Sequence, residues 1–325
     1  MNGFIEFDLS ARMESSVMQE ASGRVGSIPV SVVILAKNES QNMRRCIEGV
    51  DWCDDIVVVD DGSTDATGDI AKSCGARVVS HKFESFATQR NWAMEHASLA
   101  HDWVLHLDAD EVGTDAMRRE IQDAVAAASD ETTAFRMCRK TMLMGKWLKY
   151  SDGFPVWIMR LVRKGVVEFE DSGHGEVAVP TVSGELGTIR EPFHHYAFSK
   201  GLANWIERHN RYSTCEAHLE AKEDHNVNWL QLLSVEKAVR RREQRKLSRS
   251  LPFRPSLRFL YQYVFKLGFL DGRAGWMFSS MMATYESWIV VKKNEFGVLS
   301  ETVPFAVPER SVEPAVSSES EKKAA

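Results

Sequence analysis

Asp108 and Asp110 stand two residues apart directly after the apolar run Trp103 to Leu107, with Glu111 and Asp115 close behind. Carboxylates at this spacing straddle a turn and leave oxygens free for a hard divalent cation. Such a cation prefers oxygen ligands and keeps positions open for substrate phosphates. Acidic side chains this close repel one another unless a cation or hydrogen-bond donors offset them. A solvated loop capping a helix at Thr114 or Asp115 is the plainer reading, but Asp108 abuts an apolar strand. Two more polar clusters end apolar runs in the same way: Lys37-Asn38-Glu39 and Asp60-Asp61-Gly62-Ser63. Singly, each reads as a turn and helix cap. Together they would line one edge of one sheet.

That edge requires an α/β fold. Strand-like runs at 30–36, 56–59, 76–80 and 103–107 alternate with helical stretches at 42–50, 65–74, 88–97 and 115–128. Val/Ile/Leu-rich strands alternating with helices predict a mainly parallel sheet buried on both faces. In such sheets ligands bind beyond the carboxyl ends of the strands, where all three clusters fall. After about residue 130 the alternation stops: 132–140, 156–162 and 166–179 read as strands, and 199–222, 229–248, 256–270 and 273–293 as helices. The expected organisation is a loose arm over 1–27, a catalytic domain over 28–200, a helical region over 201–298 and a disordered tail over 299–325.

Rival α/β chemistries fail on the same residues. The turn after the first strand reads Ala36-Lys37-Asn38-Glu39 and lacks the glycines of a dinucleotide-binding or P-loop motif. An Asp-x-Asp phosphatase nucleophile would follow the first strand, not the fourth. The net charge of −6 argues against nucleic acid as a partner. Five cysteines without a Cys-x-x-Cys pair suit reduced thiols better than disulfides or structural zinc. Neither a signal-peptide pattern nor a spanning apolar run is evident, so the expected location is cytoplasmic, with membrane contact still open.

The blocks Ser31-Val-Val-Ile-Leu-Ala-Lys-Asn-Glu39, Ile56-Val-Val-Val-Asp-Asp-Gly-Ser-Thr-Asp-Ala-Thr67 and Trp103-Val-Leu-His-Leu-Asp-Ala-Asp-Glu111 resemble the signature segments of glycosyltransferase family 2. Phe86-Ala-Thr-Gln-Arg-Asn-Trp-Ala93 and Phe265-Lys-Leu-Gly-Phe-Leu-Asp-Gly-Arg-Ala-Gly275 resemble its lipopolysaccharide inner-core β-1,4-glucosyltransferase branch. The resemblance implies a GT-A fold, a UDP-sugar donor with glucose the expected sugar, Mg2+ or Mn2+, and inversion at the anomeric carbon. It implies that Asn38 and Glu39 lie near the nucleoside, that Asp61 accepts from the uracil N–H, and that Arg90 contacts the nucleotide. Asp108 would face ribose and sugar, and Asp110 would ligate the metal. A downstream histidine would complete the metal site, His195 before His194. A polyprenyl-phosphate or other polysaccharide transferase of the same fold is the alternative within the class. A silent nucleotide-sugar- or membrane-binding scaffold is the alternative outside it.

An inverting transfer also needs a carboxylate base for the acceptor hydroxyl. The segment Glu168-Phe-Glu-Asp-Ser-Gly-His-Gly-Glu176 concentrates candidates, Glu176 first and Asp171 second, and Gly173 and Gly175 would admit an acceptor closely. An acidic hairpin turn explains the same residues without chemistry. Downstream, a basic run from Arg240 to Arg258 precedes aromatic segments through Val290. That order suits the anionic cytoplasmic face of a membrane and a lipid-linked glycan acceptor. Helices packed on the catalytic domain behind a solvated arginine face are the simpler account.

Overall fold

The computed structural model describes residues 28–172, 175–222 and 226–302. Strand β1 (Val30–Ala36) is buried along its whole length. It lies between β2 (Asp55–Asp60) and β4 (Trp103–Asp108), parallel to both, and β3 (Arg77–Ser80) pairs with β2 outside them. Helices α1 (Ser40–Glu48), α2 (Thr67–Ser73), α3 (Phe86–His96) and α4 (Asp115–Ala127) fill the connections. Ser85 caps α3 and Thr114 caps α4, each accepting from the N–H three residues on.

The second half of the sheet is mixed. It contains β5 (Glu111–Val112), β6 (Thr132–Leu143), β7 (Lys146–Trp147), β8 (Val156–Arg163), β11 (Glu185–Thr188) and β12 (Phe193–His195). The order is β3-β2-β1-β4-β8-β6-β12-β5, with β8 antiparallel to both β4 and β6. The result is a mixed, mostly parallel α/β sheet that agrees with the GT-A architecture implied by the resemblance. The strand segment expected over 166–179 forms a hairpin, β9 (Val167–Ser172) against β10 (Gly175–Pro180), outside the main sheet. Its alternating buried and exposed residues on β9 mark one covered face and one open one.

Alternation along the strands divides the core in two. Val30, Val32 and Ile34 pack with Met43, Ile47, Met117 and Ile121 on one side. Val33, Leu35, Val57 and Val59 pack with Ala87, Ala93 and Phe169 on the other. One close approach constrains the end of the sheet: a Cβ on Gly113 would stand 2.4 Å from the Gly49 carbonyl oxygen, so the end of α1 and the acidic turn meet backbone to backbone.

The C-terminal region is helical, as expected, with different breaks. It runs α5 (Gly201–Lys222), α6 (Lys237–Ser250), α7 (Arg254–Leu260) and α8 (Gly272–Thr302). A 3-10 turn at Gln231–Leu233 replaces the start of the helix expected from 229. The helix expected over 256–270 breaks into α7, a π turn at Tyr261–Phe265 and a 3-10 turn at Gly268–Asp271. Leu267, at φ 62°, interrupts it. Lys292 Nζ on α8 donates to Asn210 Oδ1 and Ser213 Oγ on α5, both at 2.7 Å. Arg254 forks onto Glu220 at 2.8 and 3.0 Å. Helix α8 passes the expected boundary at 298; the expected arm over 1–27 and the tail beyond 302 lie outside the described residues.

Candidate active site

The turns after β1 and β2 are stitched together. Asn38, at φ 53°, receives Thr64 N–H on its Oδ1 at 2.8 Å and donates its own N–H to Ser63 Oγ at 2.8 Å. Glu39 N–H reaches Thr67 Oγ1 at 2.7 Å, and Ser40 N–H reaches Asp65 at 3.1 Å. Both Asp61 oxygens are engaged, by Lys37 Nζ at 2.6 Å and by Phe83 N–H at 2.8 Å. Glu39 pairs with Lys200 and accepts from Asn42 at 2.7 Å. Burial nevertheless raises its carboxyl above the ordinary range. Asn38, Glu39 and Asp61 are thus assembled into one rim, and Asn38 remains exposed.

Beneath this rim lies a carboxylate–guanidinium cluster. Arg90 of α3 donates from Nη2 to Asp108 Oδ1 at 2.6 Å and from Nε to Glu176 Oε1 at 2.9 Å. Arg160 of β8 donates to Asp108 Oδ2 at 2.9 Å and to Glu111 Oε1 at 2.9 Å, with Glu176 at 3.4 Å. Asp108 therefore has one guanidinium on each oxygen. Although burial opposes ionisation, Arg160 and Arg90 hold its carboxyl far below the usual range. Arg90 is fully buried, its Nε and Nη2 engaged by carboxylates and its Nη1 without a hydrogen-bond partner. Next to it, Asn91 accepts the Phe169 N–H and donates to the Phe169 carbonyl, both at 2.9 Å, as a strand neighbour would.

Asp110 has different company. His195 Nε2 lies 3.7 Å from its Oδ2, placed by β12 pairing with β5 and β6. Burial first, and the Asp108 charge second, push Asp110 up to about 6. Burial and the nearby Arg139 push His195 down to about 3, which leaves a neutral imidazole whose buried Nδ1 has no hydrogen-bond partner. Among the described residues no group of three His, Cys, Asp or Glu could hold a metal by itself. At 3.7 Å the pair stands slightly wider than two donors on one ion, and binding a divalent cation would have to draw them together. Donors about 2.1 Å from one ion stand roughly 3 to 3.5 Å apart, and a diphosphate can supply the missing oxygens. His194 instead packs edge-on to Tyr196 and lies opposite Lys140 in the β6–β12 register.

The hairpin brings both base candidates to the cluster's edge. Asp171 and Glu176 are directly opposed across β9 and β10, so their side chains share a face. Oε1 of Glu176 is occupied by the two arginines, while Asp171 is exposed. Gly173 falls outside the described residues.

Sequence reasoning missed Arg160, Asn91 and Lys200. For Arg160 a signal existed: it is the lone charge within Val156-Trp-Ile-Met-Arg-Leu-Val162, and a charge inside an apolar strand needs a partner. Asn91 and Lys200 carry no such mark.

The helical region presents its own surface. Phe253, Phe265 and Trp276 are 80, 77 and 52% exposed, with Leu260, Leu267 and Leu270 nearly half exposed between them. The basic run is partly spent internally: Arg249 and Arg254 pair with Glu220, and Arg242 and Lys246 with Glu243. Among the described residues, no helix is long and apolar enough to cross a membrane.

Comparison with known proteins places the chain in a family. A profile described as "Glycosyl transferase family 2" covers residues 31–166, from β1 through β8. The chain is 30% identical over 199 residues to the lipopolysaccharide core biosynthesis glycosyltransferase LpsC of Rhizobium meliloti, covering 59% of this chain and 72% of that protein. It is 37% identical over 97 residues to an uncharacterised glycosyltransferase of Rickettsia prowazekii, which is 30% of this chain and 31% of the relative. Among solved structures, glucosyl-3-phosphoglycerate synthase from Mycobacterium tuberculosis with Mn2+, UDP-glucose and phosphoglyceric acid is similar at 21% identity and a TM-score of 0.29. That overlap covers 39% of this chain and 48% of the mycobacterial one. The chain thus spans about a third of the Rickettsia protein and about half of the mycobacterial enzyme. With the profile over the site-bearing strands and most of LpsC covered, the chain belongs to glycosyl transferase family 2 and is a glycosyltransferase.

Proposed function

We propose that this enzyme transfers a hexose, with glucose the expected sugar, from a UDP-sugar to a lipopolysaccharide-core or related envelope glycan, with inversion and with Mn2+ or Mg2+. The Asp110–His195 pair carries the reading: a buried carboxylate and a neutral imidazole face each other while the neighbouring Asp108 is already neutralised by arginines. The likeness to LpsC supports the acceptor class.

Asp110 and His195 would hold the cation, which supplies charge stabilisation for the departing diphosphate. The nucleoside would rest on the rim of Asn38, Glu39 and Asp61. Asp108, fixed by Arg90 and Arg160, would present a permanently ionised edge toward ribose and sugar. The acceptor hydroxyl would lose its proton to a hairpin carboxylate. Asp171 is favoured, because Oε1 of Glu176 is committed to the arginines. The exposed apolar turns around Phe265, with the unspent arginines, would rest on the cytoplasmic membrane face where a lipid-linked acceptor resides.

The test uses purified protein, UDP-glucose, Mn2+ and lipopolysaccharide from a strain deleted for this gene. Transfer with a β-linked product by NMR is expected, lost on chelation and in Asp110→Ala. Absence of any Mn2+-dependent UDP-glucose binding or hydrolysis would overturn the reading.

A further inference from the structure

The loop between β7 and β8 is fastened by one distant carboxylate. Asp271, 3% exposed, accepts from the backbone N–H of Lys149 at 3.2 Å, Tyr150 at 3.0 Å and Ser151 at 2.8 Å. The Ser151 hydroxyl adds a bond at 2.7 Å, and Gln262 Nε2 donates to the Ser151 carbonyl at 3.2 Å. Successive N–H groups converging on one carboxylate make an anion-binding nest, filled here from 120 residues away. Behind Asp271 the chain is packed backbone on backbone: a Cβ on Gly275 would lie 2.0 Å from the Gly268 carbonyl oxygen.

The fastened loop leads inward. Its Asp152 accepts from Thr141 Oγ1 at 2.6 Å and stands 4.0 Å from Arg139. Thr141 is the register partner of His195, and the charges of Arg139 and Asp152 both act on that imidazole. On its other side, the turn that presents Asp271 exposes Phe269 and Leu270. The donor rim, Asn38 and Asp61, stands on β1 and β2, in the other half of the sheet. The 149–152 loop stands apart from that rim, beside the exposed turn of Phe269 and Leu270.

We propose that Asp271 is a positioning residue for the acceptor, fastening the 149–152 loop to the exposed apolar turn of Phe269 and Leu270. The inference rests on the transferase reading above. A purely structural anchor would alter stability alone; a positioning residue must separate the two substrates.

The experiment compares full-length wild type with Asp271→Asn, using UDP-glucose, Mn2+ and lipopolysaccharide from the deletion strain in detergent micelles. Hydrogen exchange at Tyr150 and Ser151 should rise at least tenfold in the variant, with exchange in β1 unchanged. The KM for lipopolysaccharide should rise about tenfold, while the KM for UDP-glucose and acceptor-free UDP-glucose hydrolysis stay within twofold. Ser151→Ala, which removes only the hydroxyl bond, should raise the acceptor KM about threefold and decides the matter if Asp271→Asn does not fold. Unchanged exchange, or donor and acceptor constants that move together or not at all, would overturn the proposal. A wild-type protein that hydrolyses UDP-glucose without transferring it would instead overturn the assigned acceptor, and the acceptor-side role of Asp271 with it.

Discussion

Arg160 and Asp108 meet at 2.9 Å across the junction of β8 and β4, where the parallel half of the sheet passes into the mixed half. The same guanidinium reaches Glu111, whose carboxyl burial raises to about 7 despite that contact. One side chain thus balances two carboxylates of the acidic turn. Removing it leaves the buried Glu111 without that partner and Asp108, a third exposed, with Arg90 alone, which costs up to about 3–5 kcal/mol. Arg160→Met should lower the denaturant midpoint accordingly, and Arg160→Lys should recover only part, because an ammonium cannot fork. Equal midpoints for wild type and Arg160→Met would contradict this role.

Cation binding should depend on pH through Asp110. Its folded value of about 6 lies above the ordinary 3.8, so the metal-free protein holds a proton there that the unfolded chain has released. The stability owed to this group is present below about 4 and is lost as pH rises through about 6. The cation requires the ionised form, so Mn2+ affinity should climb between pH 5 and 7 and flatten above. Titration calorimetry at stepped pH measures this. Asp110→Asn should bind Mn2+ at least a hundredfold more weakly and should show no such slope.

Asp55 makes the opposite prediction. Burial alone would raise its carboxyl, but donors from Ala100 N–H, Ser31 and Arg77 outweigh it and hold the group below 3.8. Its stabilisation is therefore full above the unfolded value and is lost as pH falls through the lower folded one. Asp55→Ala should cost roughly 1–3 kcal/mol at pH 7, since it strands a buried hydroxyl and an N–H. The deficit should shrink toward pH 2. A deficit constant with pH would rule out the ionic contribution.

The exposed aromatic turn predicts lipid binding. Burying a phenylalanine is worth about 1.5–3 kcal/mol. Phe265→Ser with Phe269→Ser should weaken sedimentation with anionic vesicles at least tenfold and leave UDP-glucose hydrolysis intact. Vesicle binding that survives the pair, or that is absent in the wild type, would exclude this surface as the contact.

The parallel half of the fold was legible because apolar runs such as Val30–Ala36 end in polar clusters, which fixes both strand and edge. The hairpin was half legible: Asp171-Ser-Gly-His-Gly175 reads as a turn, but no pattern shows that its two strands pair outside the main sheet. The helix expected over 256–270 was misjudged because Leu267 takes a left-handed conformation that its type disfavours; tertiary packing at Gly268 and Gly275 overrides propensity there. At the site, Asp110 and His195 were legible as candidates and the structure brings them together. Arg90 was legible as important but not as buried, because burial of an arginine depends on carboxylates such as Glu176, 86 residues away. Asp271 lay within a segment noticed only for its resemblance, and no spacing rule joins it to Ser151.

Arg90 and Asn91 are consecutive on α3, one gripping Asp108 and the other clasping the hairpin at Phe169. Asp108, proposed to face the sugar, and the hairpin with the two base candidates are therefore both tied to α3. The separation that an in-line displacement depends on would therefore answer to α3 as well as to the sheet strand that carries Asp108.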